Sequence, residues 1–285
     1  MLWLYLTLAV VAILLLSYYI WYRASGLSWH YQRANIFMLH NVSRNLTPAI
    51  STITEARFNK LFARIKSQTD NFGSLEKAIE YIGNETWESC TAFTFDDGYE
   101  DIYRIFREKF EPDNIPMTVF MVSGYIGQPP YWDYAHSFMR HLNREELLAM
   151  VDSGLVTIGA HTVNHPDLTI LSSERKRREI IDSKKQLEDL LGREINYFSY
   201  PFGRFDRESI EIVREAGYTA AFGGVPLRAE PNNLFTIPRK PLNVFENFYT
   251  LTLKYRSSRL TWMEFSKARV IEMYSALTSR IKGSS

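Results

Sequence analysis

The sequence predicts an α/β fold, either a barrel or a doubly wound sheet, on three observations. Short apolar runs alternate with amphipathic stretches over about 215 residues beyond position 33, which is the rhythm of βα units. The chain has 285 residues, 46% of them hydrophobic, so it can fill one sizeable core. The only break in composition lies near residue 23, and no repeat or low-complexity linker divides the rest.

Six apolar runs are predicted as strands, in chain order Ile36–Leu39, Ala92–Phe95, Met117–Val122, Val156–Ala160, Tyr197–Tyr200 and Thr219–Phe222. Three amphipathic stretches are predicted as helices, namely Glu55–Gln68, Glu145–Val151 and Glu174–Leu191. The last helix has Ser173 as its candidate N-cap and Gly192 just past its end. We expect these elements to form one domain over residues 34–252.

The N-terminal segment differs from the rest, because residues 2–22 carry no charged side chain. At about 1.5 Å per residue this stretch is long enough to cross a bilayer. We therefore expect residues 1–23 to be a single-pass anchor in the cell (inner) membrane. A cleaved signal peptide is the alternative, but bulky aromatics fill the place of a cleavage site. Arg23 and Arg33 favour a cytoplasmic main domain, although two charges leave the side of the membrane open.

Charge is balanced over the whole chain but not in its tail. Lys+Arg number 33 and Asp+Glu 32, which argues against a nucleic-acid binder. Between Lys254 and Lys282 there are seven basic and two acidic residues, with apolar residues at helical spacing. Residues 253–285 are therefore predicted as a basic amphipathic helix, which either lies on membrane lipid or packs on the domain. The lone Cys90 excludes a disulfide within the chain.

Two adjacent carboxylates, Asp96 and Asp97, follow the strand predicted at Ala92–Phe95, and Gly98 follows them. Parallel α/β folds place their active sites at the C-terminal ends of strands, although a simple turn also accounts for Asp-Asp-Gly. Adjacent carboxylates repel, and one takes up a proton unless a cation or hydrogen bonds stabilise both charges. A metal ion would stabilise both.

Two histidines four positions apart, His161 and His165, follow the strand Val156–Ala160. A lone pair of this kind is often incidental, but both clusters end strands, as the loops of one barrel face would. Asp97, His161 and His165 would form a two-histidine, one-carboxylate set with open positions for water and substrate, and zinc is the ion expected for hydrolysis. A third cluster, Phe198–Gly203, also ends a strand. Its backbone N–H groups could face a developing oxyanion, or it is a simple turn.

These three motifs, in this order, resemble the polysaccharide deacetylases, the NodB-homology family of carbohydrate esterases, over residues 36–244. The likeness includes His161-Thr162-Val163-Asn164-His165-Pro166 and the later Ala216-Gly217-Tyr218. It implies a deformed (β/α) barrel of seven to eight strands that removes acetyl groups from sugars with a divalent metal. By matching position, it implies Asp97, His161 and His165 as metal ligands, Asp96 as general base and Phe202 as the backbone donor of an oxyanion hole.

Two departures from the family pattern bear on the proton transfers. Ser199 stands where members often carry an arginine that tunes the base, and no histidine follows His165. His40 resembles the early histidine of the exopolysaccharide branch and is the expected general acid, with a buried structural histidine as the alternative. Arg239 either replaces the missing arginine beside Asp96 or is a surface charge.

We therefore expect a hydrolase that removes N-acetyl groups from sugars of an exopolysaccharide or a lipid-linked glycan, with membrane lipid and a polysaccharide synthase complex as further partners. Tyr200 and Trp132 are candidates for substrate contact, Trp132 by stacking on a sugar ring, although core packing also explains such aromatics. Three alternatives stay open: a deformylase of a polyprenyl-linked aminosugar, a non-catalytic barrel that binds glycan or scaffolds a synthase complex, and an iron(II) oxygenase with the same ligand types.

Overall fold

The computed structural model describes residues 16–20, 34–44, 49–83, 89–130, 139–224, 233–255 and 266–267. Its strands are β1 (Ala34–Leu39), β2 (Asn41–Ser43), β3 (Thr52–Thr54), β4 (Cys90–Phe95), β5 (Met117–Met121), β6 (Val156–Ala160), β7 (Tyr197–Ser199), β8 (Ala220–Gly223), β9 (Ile237–Pro238) and β10 (Lys240–Pro241). Its helices are α1 (Glu55–Lys66), α2 (Leu75–Gly83), α3 (Asp101–Ile105), α4 (Arg144–Asp152), α5 (Ser173–Leu191), α6 (Arg207–Glu215) and α7 (Phe248–Tyr255). The six predicted strands and three predicted helices are confirmed to within two residues at each end, but the N-cap of α5 is Ser172 rather than Ser173.

Eight of the strands form one parallel sheet in the order β10-β1-β4-β5-β6-β7-β8-β9. The two strands at the ends of this order, β9 and β10, are separated in the chain by Arg239 alone. Ile237 and Pro238 pair with β8, whereas Lys240 and Pro241 pair with β1. The sheet therefore curls into a nearly closed barrel, in agreement with the deformed (β/α) barrel that the family resemblance implies. The break between β9 and β10 falls at Arg239.

Side chains that alternate along the strands divide the core into an inner and an outer layer. Phe120 and Phe222 fill the interior, with their ring centroids 5.5 Å apart. Gly159 faces Phe120 so closely that a Cβ there would lie 2.5 Å from the ring, which explains why this strand position lacks a side chain. The guanidinium of Arg239 lies 5.2 Å from the Phe120 centroid and 5.8 Å from that of Phe222, so it caps this apolar filling. The barrel interior is thus filled by aromatic side chains, and the Arg239 guanidinium lies against them.

The outer layer forms where helices cover the outward faces of the strands. In α1 the residues Phe58, Leu61, Phe62 and Ile65 share one face and are buried. The ring of Phe62 lies 5.5 Å from that of Phe93 on β4, and Phe110 contacts both rings. Because helices cover the outer faces, β4 and β5 are buried along their whole length, and neither strand contains a charged residue.

The structure corrects the membrane prediction. Among the residues that it describes, no helix combines the length and the apolar character needed to span a bilayer, which overturns the expected single-pass membrane protein. Of the predicted anchor only residues 16–20 are described, and of the predicted C-terminal helix only 253–255 and 266–267. The remainder of both predictions lies outside the described residues. Membrane lipid was expected as a partner because of these segments, and nothing in the described residues supports it.

Candidate metal centre and catalytic site

The three predicted metal ligands converge at the C-terminal rim of the barrel. Asp97 follows β4, and His161 and His165 lie in the loop after β6. Asp97 Oδ1 lies 3.5 Å from His161 Nε2 and 3.3 Å from His165 Nε2. All three side chains are buried, and their potential ligand atoms lie within 4.8 Å of one another. The fold therefore gathers residues from two separate loops into one cluster.

The cluster fits a divalent ion in both spacing and chemistry. Ligand atoms about 2.0–2.2 Å from a tetrahedral zinc stand roughly 3.3–3.6 Å from one another. Asp97 Oδ1 stands 3.5 and 3.3 Å from the two histidine nitrogens, within that range. Two imidazoles and one carboxylate form a donor set that suits zinc and its neighbours among the divalent metals. Asp97, His161 and His165 are thus the residues that would hold the ion.

The orientation of His161 is fixed by a backbone group behind it. Its Nδ1 lies 2.7 Å from the carbonyl oxygen of Ser199, and because a carbonyl only accepts, Nδ1 must donate. The neutral ring then carries its lone pair on Nε2, the atom that faces Asp97. Burial lowers the pKa of His161 to about 4, although the charge of Asp96 opposes the shift. The ring is therefore held in the form that binds metals.

Backbone strain is concentrated at this rim. Of the described residues other than glycine, five have a positive φ, and four of these belong to the site: Asp97, Thr162, His165 and Phe202, with φ of 68°, 68°, 56° and 59°. The left-handed conformation costs an L-residue about 1–2 kcal/mol. Such strain persists only where surrounding contacts hold the backbone, and it is typical of functional sites.

Asp96 sits beside the metal cluster in a buried network of polar side chains. Arg239 donates two hydrogen bonds of 2.6 Å to its two carboxylate oxygens, and Ser199 Oγ donates a third of 3.1 Å. Arg239 also donates to Thr94 Oγ1 at 3.0 Å and to Ser199 Oγ at 2.8 Å. Both charged partners are 3% exposed, so this is a desolvated ion pair rather than a surface contact.

The ionisation of Asp96 is decided by two opposed effects. Burial acts to raise the pKa of the carboxyl group, but the charge and hydrogen bonds of Arg239 outweigh it. The pKa of Asp96 therefore lies well below the usual range of an aspartic acid. The sequence left two interpretations of Arg239. In the structure its side chain is buried and pairs with Asp96, so it is not a surface charge.

The other predicted residues lie at different distances from this centre. The Phe202 ring packs edge-on against His165 with centroids 4.7 Å apart. His40 follows β1 and is near enough for its charge to act on the pKa values of Asp96 and His161. Tyr200 is buried in the wall, where its hydroxyl donates to the Phe235 carbonyl, so its polar atom is not brought to the ligands. Trp132 lies outside the described residues.

Three polar residues of the site were not predicted from the sequence. Thr94 had a signal, because alternation along β4 puts it on the same face as Asp96. Ser199 was noted only as a departure from the family pattern, although it bonds Asp96 directly. Glu179 on α5 accepts hydrogen bonds from the backbone of the His161–His165 loop, and no local pattern points to it.

Comparison with known proteins shows which family this chain resembles. Residues 83–221 match a family model described as polysaccharide deacetylase. A putative polysaccharide deacetylase, YxkH of Bacillus subtilis (strain 168), is 30% identical over 131 residues, which are 46% of this chain and 43% of YxkH. The match therefore spans less than half the length of that relative.

Two further likenesses extend over more of the chain. A poly-β-1,6-N-acetyl-D-glucosamine N-deacetylase of Staphylococcus aureus (strain MSSA476) is 22% identical over 201 residues, which are 66% of this chain and 67% of that protein. The structure of IcaB from Ammonifex degensii matches with a TM-score of 0.64 and 20% identity, over 77% of this chain and 94% of that one. At this identity the likeness to IcaB is one of fold.

Proposed function

The chain carries a polysaccharide deacetylase domain, and from this premise we propose that it is a metal-dependent hydrolase that removes N-acetyl groups from a glucosamine-containing exopolysaccharide. The observation that carries the proposal is the cluster of Asp97, His161 and His165 beside an ionised Asp96. The choice of substrate class is supported by the likeness to an N-deacetylase of poly-β-1,6-N-acetyl-D-glucosamine. Zinc is the ion we propose, because the donor set is two imidazoles and one carboxylate.

A divalent ion bound at this cluster would polarise the amide carbonyl and lower the pKa of a water to about 7. Asp96 is the proposed general base, since it is buried at the same rim and stays ionised. It would take a proton as the water oxygen attacks the carbonyl carbon. Arg239 is a positioning residue in this scheme, because it fixes the carboxylate by two parallel bonds.

The remaining groups would act on the carbonyl oxygen and the leaving amine. The backbone N–H of Phe202 is the proposed oxyanion donor, and its left-handed conformation, with Gly203 also at positive φ, shapes the turn that presents it. His40 is the proposed general acid, which would protonate the amine as the C–N bond breaks. Acetate and a free amine on the sugar are then the products, and one water is consumed.

Acetate release tests this proposal. We expect the purified protein to release acetate from β-1,6-linked N-acetylglucosamine oligomers, to lose more than nine-tenths of its activity after dialysis against dipicolinate, and to recover it with about one equivalent of Zn²⁺. The loss is expected because the residues of the cluster have no other way to activate water at neutral pH. Acetate assayed enzymatically, with bound zinc measured in the same samples, checks both parts.

Other outcomes would point to the alternatives left open by the sequence. Release of formate from an N-formylated lipid-linked aminosugar, without acetate from the oligomer, would replace the proposal by a deformylase. Zinc binding without either product would indicate a glycan-binding scaffold. Activity that requires iron(II) and dioxygen would contradict hydrolysis altogether, so the assay is repeated with Zn²⁺ under anaerobic conditions.

A further inference from the structure

The loop that carries two of the three proposed ligands is bonded to a helix, α5. His161 and His165 bracket Thr162, whose left-handed backbone, like that of His165, is strained. Inside the loop, the Thr162 hydroxyl oxygen accepts a hydrogen bond of 2.9 Å from the His165 N–H. These contacts set the shape of the loop, but they do not fix its position relative to β4, which carries Asp97.

Neighbouring elements supply that positional restraint. The N–H groups of Ser123 and Gly124 donate to the carbonyls of Thr162 and Val163 at 3.1 and 3.0 Å. From α5, Glu179 Oε2 accepts from the N–H of Val163 at 3.0 Å and from the N–H of Asn164 at 2.8 Å. Glu179 Oε1 accepts from Asn164 Nδ2 at 2.8 Å. One carboxylate therefore takes three hydrogen bonds from the tip of the loop.

Glu179 is itself firmly placed. It stands near the middle of α5, a 19-residue helix, so its backbone cannot fray. The next residue, Ile180, and Leu187 two turns later are fully buried and fasten the helix to the barrel. The Glu179 side chain is half-buried and lines a surface cleft together with Val163 and Asn164. The carboxylate is thus a rigid, charged acceptor beneath the loop.

We infer that Glu179 is a positioning residue that holds His161 and His165 at ligand distance from Asp97, and so sets the affinity of the centre for its metal. The inference rests on the metal site of the proposed function. Groups that orient metal ligands from behind typically change metal affinity by 10–100-fold when they are removed. Without Glu179 the Val163–Asn164 tip loses three bonds, and fewer contacts then hold the strained backbone of Thr162 and His165 in place.

A glutamine at this position separates geometry from charge. Its amide oxygen can take the place of Oε2 and accept from both backbone N–H groups. Its amide nitrogen then faces Asn164, which can rotate its own amide to present oxygen and restore the third bond. Glu179→Gln should therefore keep the loop in position although it lacks the charge, whereas Glu179→Ala should not.

Zinc titration of the metal-free full chain tests the inference. Zn²⁺ is added in competition with a chromophoric chelator at neutral pH to wild type, Glu179→Ala, Glu179→Gln and Asp182→Asn. Asp182 is an exposed carboxylate on the same helix and lines the same cleft, so its variant matches the change in charge. We expect the zinc Kd of Glu179→Ala to rise by 10–100-fold. The other two variants should stay within about threefold of wild type, because both keep the loop bonds.

Two controls keep the result decisive. Thermal unfolding of the metal-free variants identifies any that fail to fold. If Glu179→Ala is one of them, Glu179→Asp replaces it, because it keeps the charge but shortens the side chain. The same loss of zinc affinity is then expected. The visible spectrum of Co²⁺-loaded Glu179→Ala should also differ from that of Co²⁺-loaded wild type, a change that a purely structural role would not produce.

The possible contradictions fall on different claims. If wild type binds no zinc, the proposed function fails. If wild type binds zinc and Glu179→Ala binds it equally well, only the role of Glu179 is overturned. The same holds if Asp182→Asn or Glu179→Gln loses as much affinity as Glu179→Ala, because the effect would then come from helix charge.

Discussion

Replacing Asp96 by asparagine is expected to lower kcat for acetate release by about 10²–10⁴-fold while zinc stays bound. The amide keeps the shape of the carboxylate but cannot accept a proton at neutral pH. Asp97, His161 and His165 are unchanged, so the metal centre remains. Steady-state kinetics on zinc-loaded protein, together with the metal content of the same sample, measures both parts of the expectation.

The control for this substitution is Asp182→Asn, which makes the same chemical change on an exposed helix surface and should leave kcat within twofold of wild type. A variant of Asp96 that retained full turnover would show that another group is the base. A variant that lost its zinc along with its activity would show instead that Asp96 belongs to the metal site.

Replacing Arg239 by methionine is expected to produce the largest loss of stability, about 3–5 kcal/mol in the free energy of unfolding. The substitution leaves the Asp96 carboxylate buried without its cation. The hydroxyls of Thr94 and Ser199, which also accept from the guanidinium, lose their donor. Urea denaturation of the metal-free protein measures this loss without a contribution from bound zinc. We expect kcat to fall as well, because the base loses the partner that keeps it ionised.

A double variant distinguishes loss of the pair from loss of bulk. Removing both charges, in Arg239→Met with Asp96→Asn, should recover at least half of the lost stability, because no unpaired buried carboxylate remains. Arg239→Lys should not restore wild-type stability, since an ammonium cannot make two parallel bonds to one carboxylate. If the two single losses simply add in the double variant, Arg239 and Asp96 are not energetically coupled.

Among the described strands, the four that the sequence misses have only two or three residues each. The six predicted runs include β4 and β5, which are buried throughout and contain no charged residue. In contrast, β9 and β10 have two residues each, and each includes a proline. These two strands close the barrel, so the apolar rhythm alone could not decide between a barrel and a doubly wound sheet.

The metal cluster was predictable because its residues follow strands directly. The ends of parallel strands share one rim, so Asp97 and His161 were expected to meet even though 64 positions separate them. Arg239 lies 143 positions from Asp96, and its pairing depends on the break between two short strands. Glu179 meets the loop only because α5 packs beneath it. Contacts of this kind depend on tertiary packing, and no local pattern encodes them.

The prediction of a membrane anchor rested on the length and hydropathy of the N-terminal segment. A long uncharged stretch satisfies the length criterion for a span. The described residues nevertheless contain no helix that could span a membrane, and we correct the prediction on that finding.

The central claim, that one ion is held jointly by Asp97, His161 and His165, is tested most directly by diffraction from zinc-soaked crystals at the zinc absorption edge. We expect a single anomalous peak about 2.0–2.2 Å from a carboxylate oxygen of Asp97, from His161 Nε2 and from His165 Nε2. A peak bound by other residues, or no peak where these three side chains meet, would contradict it.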